Sequence, residues 1–271
     1  MRAWTLGSGS SGNALVVESG GHRVLIDCGF GPRALVTRLR AVGIAPESIG
    51  ALILTHEHVD HAAGAERAQK KFRWPVIASA GTLAALREVE ARWRRPIEAG
   101  GTLALDGFAL SAVAVPHDAA APLAFTLTAT ASGARLGVAH DLGAVPDALR
   151  SAFRHCDALC LEANHDEALL RDGPYPAALK ARIRGGRGHL ANTQAAALAA
   201  EMAGPALRAV VLLHLSEVNN APELATQTVR SALHRAGVHA AVHAAPRRTP
   251  AEAFALSGVR APVSPQLSLG V

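Results

Sequence analysis

His56, His58, Asp60 and His61 place three imidazoles and a carboxylate within six residues, in the run His56-Glu57-His58-Val59-Asp60-His61. Imidazole and carboxylate together suit zinc, manganese and iron. The run directly follows an apolar, strand-like stretch over 51–55. From a strand end, His56 and His58 would point one way, and Asp60 and His61 would come from the turn that follows. Two ions cannot share one tetrahedral set of ligands, but such a run can divide its donors between them. It therefore predicts a two-metal site, and a two-metal site predicts hydrolysis. The protease zinc motif H-E-x-x-H is excluded, because the residue four after His56 is Asp60. A solvated histidine-rich loop is the plainer alternative; so dense a cluster of ligand types behind a buried strand argues against it.

Two ions need further donors, and the chain offers them at other strand ends. His117 follows 113–116, Asp141 follows the apolar run 136–139, and His214 follows 210–213. Loops at strand ends are where a rigid scaffold presents reactive groups. Each of these residues alone would be unremarked. Beside the first run each fills a vacancy, and a carboxylate such as Asp141 can bridge two cations, which a neutral imidazole cannot.

The elements that must position these groups alternate along the chain. Strand-like stretches at 14–18 and 23–27 flank the turn Ser19-Gly20-Gly21-His22. A helix is expected near 32–42, ended by Gly43, then the 51–55 strand, a helical stretch 62–72, a strand 76–79 and a helix from Thr82 to about Arg94. Strands follow near 103–105, 109–115, 123–129 and 134–139, a helix at 145–154, and a strand at 158–162. The last elements are a helix over 193–203 capped by Asn192, a strand at 209–213, a helix at 222–236 with Pro222 in its first turn, and a strand at 240–244. Mixed strands and helices with repeated hairpins imply sheets flanked by helices. One domain is expected over 1–246. Residues 247–271, rich in Arg, Pro, Ser and Ala without periodicity, read as a disordered tail.

Composition narrows the function. The chain has 271 residues, 49% of them hydrophobic, enough for a large α/β core. Its formal charge of +5 fits a polyanionic partner. Cys28, Cys156 and Cys160 are odd in number and form no C-x-x-C pair, so they are no disulfide framework. The N-terminus does not read as a signal peptide, and no apolar run approaches bilayer length. These features lead us to expect a cytoplasmic protein without a membrane partner.

The H-x-H-x-D-H run with a distant His, Asp and His resembles the metallo-β-lactamase superfamily, from about residue 4 to 244. Four further blocks resemble its YycJ/WalJ-like subfamily: Gly7-Ser8-Gly9-Ser10-Ser11-Gly12-Asn13, Leu161-Glu162-Ala163-Asn164-His165-Asp166, Gly188-His189-Leu190-Ala191-Asn192 and Leu215-Ser216-Glu217-Val218-Asn219-Asn220. The chain departs from that subfamily at Val59, Ala163 and Ala191, where serine is more usual; no ligand is lost. The resemblance implies a four-layer αββα sandwich. It also implies that His56, His58 and His117 hold one ion and that Asp60, His61 and His214 hold the other, with Asp141 bridging. The activity it implies is nuclease-like, with 5′ to 3′ exonuclease action on DNA foremost.

The expected chemistry is hydroxide attack on phosphorus, with two divalent ions, zinc first and manganese second, lowering the pKa of a shared water. Asp60 and His189 are the expected catalytic residues, His189 protonating the leaving oxygen. Arg182, Arg184 and Arg187 precede His189 in a flexible basic loop and would contact phosphates without reading sequence. Asn192, beside that loop, joins the expected substrate contacts. The glycines at 7, 9 and 12 also fit G-x-G-x-x-G, but a hairpin follows where a dinucleotide fold needs a helix. That loop is either a plain turn or a phosphate cradle, in which case Ser10, Ser11 and Asn13 would bind substrate. His165 and Asp166 would either orient ligands or cap a helix. The partner expected is nucleic acid, DNA ahead of RNA. Competing readings are a small-molecule hydrolase acting on a thioester, lactone or cyclic phosphodiester, and a non-catalytic partner-binding protein; an intact donor set argues against the latter.

Overall fold

Short apolar runs become strands in a computed structural model that describes residues 1–256. The first sheet takes β1 (Arg2–Gly7), β2 (Ala14–Ser19), β3 (His22–Ile26), β4 (Ile49–Ile53), β5 (Val76–Ala78) and β6 (Arg94–Pro96). The second takes β7 (Thr102–Leu105), β8 (Phe108–Ala114), β9 (Leu123–Ala129), β10 (Arg135–Ala139), β11 (Ala158–Glu162), β12 (Ala209–Leu213) and β13 (Ala241–Ala244). A last strand, β14 (Ala251–Ala255), returns to the first sheet, whose order is β14-β1-β2-β3-β4-β5-β6; the second runs β13-β12-β11-β10-β9-β8-β7. β3 to β6 are mutually parallel, as are β10 to β13. Parallel strands are covered on both faces, and every residue of β11 and β12 is buried.

The two sheets face each other across a core that includes Ile26, Ile53, Phe125, Leu136 and Val211. Helices α1 (Pro32–Ala41), α2 (Val59–Ala62), α3 (Ala65–Phe72) and α4 (Ala80–Ala85) belong to the first half. Leu35, Leu39, Ala68 and Leu83 pack these helices on the first sheet's outer face. In the second half α5 (Asp147–Phe153), α6 (Glu167–Asp172), α7 (Ala177–Arg184), α8 (Asn192–Glu201) and α9 (Pro222–Arg235) follow. Phe153, Leu198, Val229 and Leu233 cover the second sheet's outer face. The result is the expected αββα order of layers, each outer layer burying one face of a sheet. Among the described residues no helix is long and apolar enough to cross a membrane.

Three local expectations need correction. The stretch read as a tail from 247 contains β14, which pairs antiparallel with β1 and buries Phe254 between the sheets. Without it β1 would be an unpaired edge. Residues 257–271, the rest of the expected tail, lie outside the described residues. The helix expected from Thr82 to Arg94 is only α4, capped by Ser79, whose hydroxyl accepts the Thr82 N–H at 3.1 Å. Beyond it the Arg94 guanidinium takes the Leu86 and Val89 carbonyls at 2.8 and 2.7 Å, in place of helical partners. α6 and α7 form where no element is expected.

The site-bearing loops of the first sheet interlock through backbone. Asn13 N donates to Asp60 O at 2.7 Å, Gly29 N to Asn13 O at 3.0 Å, and Cys28 N to His61 O at 2.6 Å. This approach leaves no space at Gly29, where an added Cβ would sit 1.9 Å from Asp60 O. Gly29→Ala is therefore expected to destabilise the protein by about 1–3 kcal/mol, the usual cost of overpacking. Gly204→Ala, whose methyl would meet nothing within 4 Å, should stay within about 0.5 kcal/mol of the parent. Urea denaturation of the two variants separates them, and equal stabilities would disprove the tight contact.

Candidate metal centre

The C-terminal ends of parallel strands converge here from both sheets, which is where α/β scaffolds form their clefts. Asp27 follows β3, and Thr55 to His61 follow β4. Asp141 follows β10, Glu162 ends β11, and His214 follows β12. His117 comes from the turn after β8. Asp27, Asp141 and His214 all have left-handed backbone, with φ of 61°, 39° and 55°. Such conformations are uncommon outside glycine and cluster at functional sites.

Outer hydrogen bonds fix the imidazoles. Asp27 accepts the Thr55 N–H at 2.8 Å and the Thr55 hydroxyl at 2.9 Å. With its proton given to that carboxylate, Thr55 Oγ1 must accept from His56 Nδ1, 3.0 Å away. His61 Nδ1 donates to Asp27 at 2.7 Å, and His117 Nδ1 donates to the Gly188 carbonyl at 3.0 Å. In each ring the outer nitrogen is thus a donor, and Nε2 is turned inward. This is how metal-binding histidines are oriented.

The inner atoms meet around Asp141. Its Oδ2 lies 3.7 Å from His56 Nε2, 3.2 Å from His61 Nε2 and 3.8 Å from His117 Nε2. His214 Nδ1 comes within 3.4 Å of Asp141 Oδ1 without the alignment of a hydrogen bond. His56, His58, His117 and Asp141 form one group whose donor atoms lie within 4.8 Å of one another, and His61, His140, Asp141 and His214 form a second. Asp60 Oδ2 stands 3.4 Å from His61 Nε2 and 3.9 Å from His214 Nδ1. The fit to cations rests on unpartnered atoms. His56 Nε2, His117 Nε2, Asp141 Oδ1 and both ring nitrogens of His140 are buried with no hydrogen bond. Each such group costs about 1–3 kcal/mol if left unsatisfied. Orphans gathered around Asp141 fit a set of residues that could hold a cation.

The electrostatics agree. Burial works against charge on His61, yet Asp141 and Asp27 outweigh it and hold its pKa well above the ordinary value. Burial likewise opposes ionisation of Asp141, but His214 and His61 keep it well below the usual carboxylate range. Burial, aided by His61, drives His56 well below its usual value, which leaves its nitrogen lone pair free. Burial lowers His140 to about 4. The field thus draws positive charge to His61 beside Asp141 and keeps His56 and His140 neutral.

His189 stands at the edge of the centre, its ring 5.3 Å from that of His117 and 5.4 Å from that of His214. Burial would lower its pKa, but Glu162, 2.6 Å from Nδ1, overrides this and raises it to about 9, with help from Asp141 and Asp118. Glu162 is itself fixed by the Leu142 and Leu190 N–H groups at 2.9 and 3.1 Å. The loop before His189 is pinned, contrary to the expectation of flexibility. An added Cβ on Gly143 would lie 2.4 Å from Gly186 C and Gly188 N.

The expected substrate contacts divide. Ser10 and Arg182 line a cavity of about 270 Å³ beside His117, His189 and His214. Ser11 and Arg184 are exposed but lie outside that lining. Asn13 is fully buried and turned inward, its Nδ2 3.2 Å from Asp60 Oδ2 and 3.0 Å from His61 Nε2, so it positions the site. Asn192 is buried against Asn220, and the cap of α8 is Ala191. Arg187 spends its guanidinium on the His117 carbonyl at 3.0 and 3.1 Å. Asp166 caps α6, accepting the Ala168 and Leu169 N–H groups. Sequence reasoning missed Asp27, Thr55, Asp118, His140 and Glu162. Asp118 and His140 adjoin expected ligands, and Glu162 lies in one of the blocks that resemble the subfamily. Asp27 and Glu162 are lone acids ending apolar strands.

Comparison with known proteins agrees with this geometry. The model of the β-lactamase superfamily domain matches residues 22–215. The exodeoxyribonuclease WalJ of Streptococcus pneumoniae is 31% identical over 237 residues, which cover 85% of this chain and 87% of that protein. The exodeoxyribonuclease YycJ of Bacillus anthracis is 29% identical over 236 residues, 86% of this chain and 89% of its own. In fold, the metallo-β-lactamase fold protein YhfI of Bacillus subtilis superposes with a TM-score of 0.71 at 16% identity, over 93% of this chain and 98% of that one. The chain belongs to the metallo-β-lactamase superfamily of hydrolases, in its YycJ/WalJ-like branch.

Proposed function

We propose that the protein is a two-metal phosphodiesterase that removes nucleotides from DNA, in the 5′ to 3′ direction. The observation that carries this reading is the convergence on Asp141 of two histidine groups, His56, His58 and His117 on one side and His61, His140 and His214 on the other, with buried, unpartnered atoms on His56, His117, His140 and Asp141. His56, His58 and His117 would hold one ion, Asp60, His61 and His214 the other, with Asp141 common to both. The names of the two exodeoxyribonuclease relatives support a DNA substrate. Divalent ions, zinc first and manganese second, would supply Lewis acidity toward a phosphoryl oxygen and a strong nucleophile at neutral pH.

The chain's own residues do the rest. His189, held protonated by Glu162, donates a proton to the leaving oxygen, a role for which its position at the cavity floor suits it. Arg182 sits at the rim, bound to Asp118 at 2.5 Å, and exchanges that carboxylate for a substrate phosphate. Asn13 keeps the Asp60 carboxylate turned inward.

Purified protein loaded with zinc or manganese is expected to bind two ions per chain by elemental analysis and to degrade 5′-labelled DNA. Asp60→Ala should lose an ion and nearly all activity. His189→Ala should keep both ions and lose about 10²–10⁴ in turnover, the usual worth of a general acid. Two ions bound with no metal-dependent cleavage of DNA would sink the reading. The pH profile supplies a second check. His189 acts while protonated, so activity should fall as pH rises through its pKa, raised to about 9 by Glu162. Glu162→Gln removes the charge that raises it, so the alkaline limb should move to lower pH in that variant. An unmoved limb would assign the proton to another group.

A further inference from the structure

We propose that the cavity beside the metal centre is a binding pocket for a single unpaired nucleotide, with Tyr175 as the platform on which its base stacks. The pocket deepens the phosphodiesterase reading and rests on it for the position of the scissile bond. Its volume is about 270 Å³, just below the usual range of ligand pockets, roughly 300 to 1,000 Å³. A stretch of duplex does not enter such a space; one nucleotide does.

The lining is mixed in chemistry. Tyr175, Leu179 and Ile183, from α7 and the turn before it, contribute apolar surface, while Ser10 and Ser216 contribute hydroxyls. Ser216 Oγ accepts the Asn219 N–H at 3.0 Å, which leaves its proton free to donate. A nucleoside presents the matching surfaces, a flat π face and a polar edge. Aromatic stacking is indifferent to base identity, because every base has a π face. His117, His189 and His214 of the lining set the phosphate end, and the exposed Arg182 supplies positive charge.

Tyr175 is the chain's single tyrosine, and its backbone is unusually constrained. It lies in Gly173-Pro174-Tyr175-Pro176, where a proline on each side restricts the local dihedrals. The segment is also pinned at Gly173, whose added Cβ would come 2.5 Å from Leu169 O and 2.8 Å from Asn219 Oδ1. The ring is thus presented on a stiff support, which lowers the ordering entropy lost on binding. A leucine cluster that merely completed a core would be covered, yet Leu179 is 37% exposed in this wall.

The test uses the full-length metal-loaded protein and calorimetric titration with two probes, dAMP and 2-deoxyribose 5-phosphate. They share the sugar phosphate, and the second carries an anomeric hydroxyl in place of the base. The wild type should bind dAMP at least about tenfold more tightly, the contribution of one stacked base. Tyr175→Ala should bring the two probes to equal affinity, and Tyr175→Phe should preserve the preference. Equal affinities in the wild type, or a preference that survives Tyr175→Ala, would overturn the proposal. Cleavage of 5′-labelled DNA, followed in parallel, reports on the phosphodiesterase reading by itself. If hydrolysis persists while the base preference is absent, only the pocket falls. If the preference is present without hydrolysis, the pocket stands and the catalytic reading falls.

Discussion

Asp27 accepts hydrogen bonds from the Thr55 backbone, the Thr55 hydroxyl and His61 Nδ1, with no exposure to solvent. That one carboxylate ties the end of β3 to the end of β4 and, through Thr55, sets the ring of His56. A buried carboxylate is costly unless its lone pairs are filled and a counter-charge is near. Here both conditions are met by the groups that need orienting. Removing Asp27 would free two imidazoles at once and leave Thr55 and His61 with unsatisfied donors. The first sheet can carry a run of donors because this acid stands beneath them.

The same logic explains why the strained backbone sits where it does. Asp27, Asp141 and His214 each turn left-handed at the point where a parallel strand ends. Such a residue costs of order 1–3 kcal/mol and persists only where its surroundings over-determine it. The inter-sheet core, with Ile26, Ile53, Leu136 and Val211 buried just behind these ends, supplies that determination. Strand ends locked by a dry core can hold a sharp turn and aim a side chain into the cleft between the sheets. A mobile loop could not.

The donors were legible in the sequence because each follows an apolar strand, and the run from His56 to His61 is dense enough to exclude chance. The strands themselves were legible for the same reason, since parallel strands buried on both faces read as continuous apolar runs. The groups behind the donors were not. Asn13 reads as an exposed loop residue in a Gly/Ser stretch, but that loop folds under Asp60, and the side chain becomes a buried positioning group. Glu162 reads as the polar end of a strand, yet it is fully buried and charges His189. Both depend on contacts across long sequence separations, which periodicity does not encode. β14 was hidden because Ala251–Ala255 has little hydrophobic bulk, and it gains its structure from the open edge of β1.

The wall of the cavity, the proposed acid and one donor of the first group form a single mechanical unit. Gly188 gives its carbonyl to His117 Nδ1, and Arg187 holds the His117 carbonyl. His189 follows at once, its N–H on the Ile183 carbonyl at 2.9 Å. An added Cβ on Gly188 would lie 2.3 Å from the Arg182 and Ile183 carbonyls, so this turn is packed hard against the end of α7. α7 in turn carries Leu179, Arg182 and Ile183 of the cavity. Displacement of that helix by a misfitting ligand would be passed to His189 through backbone and to His117 through its ring bond to the Gly188 carbonyl and through the Arg187 guanidinium. Under the proposed function, close packing of this turn would couple substrate shape to the alignment of the reacting groups.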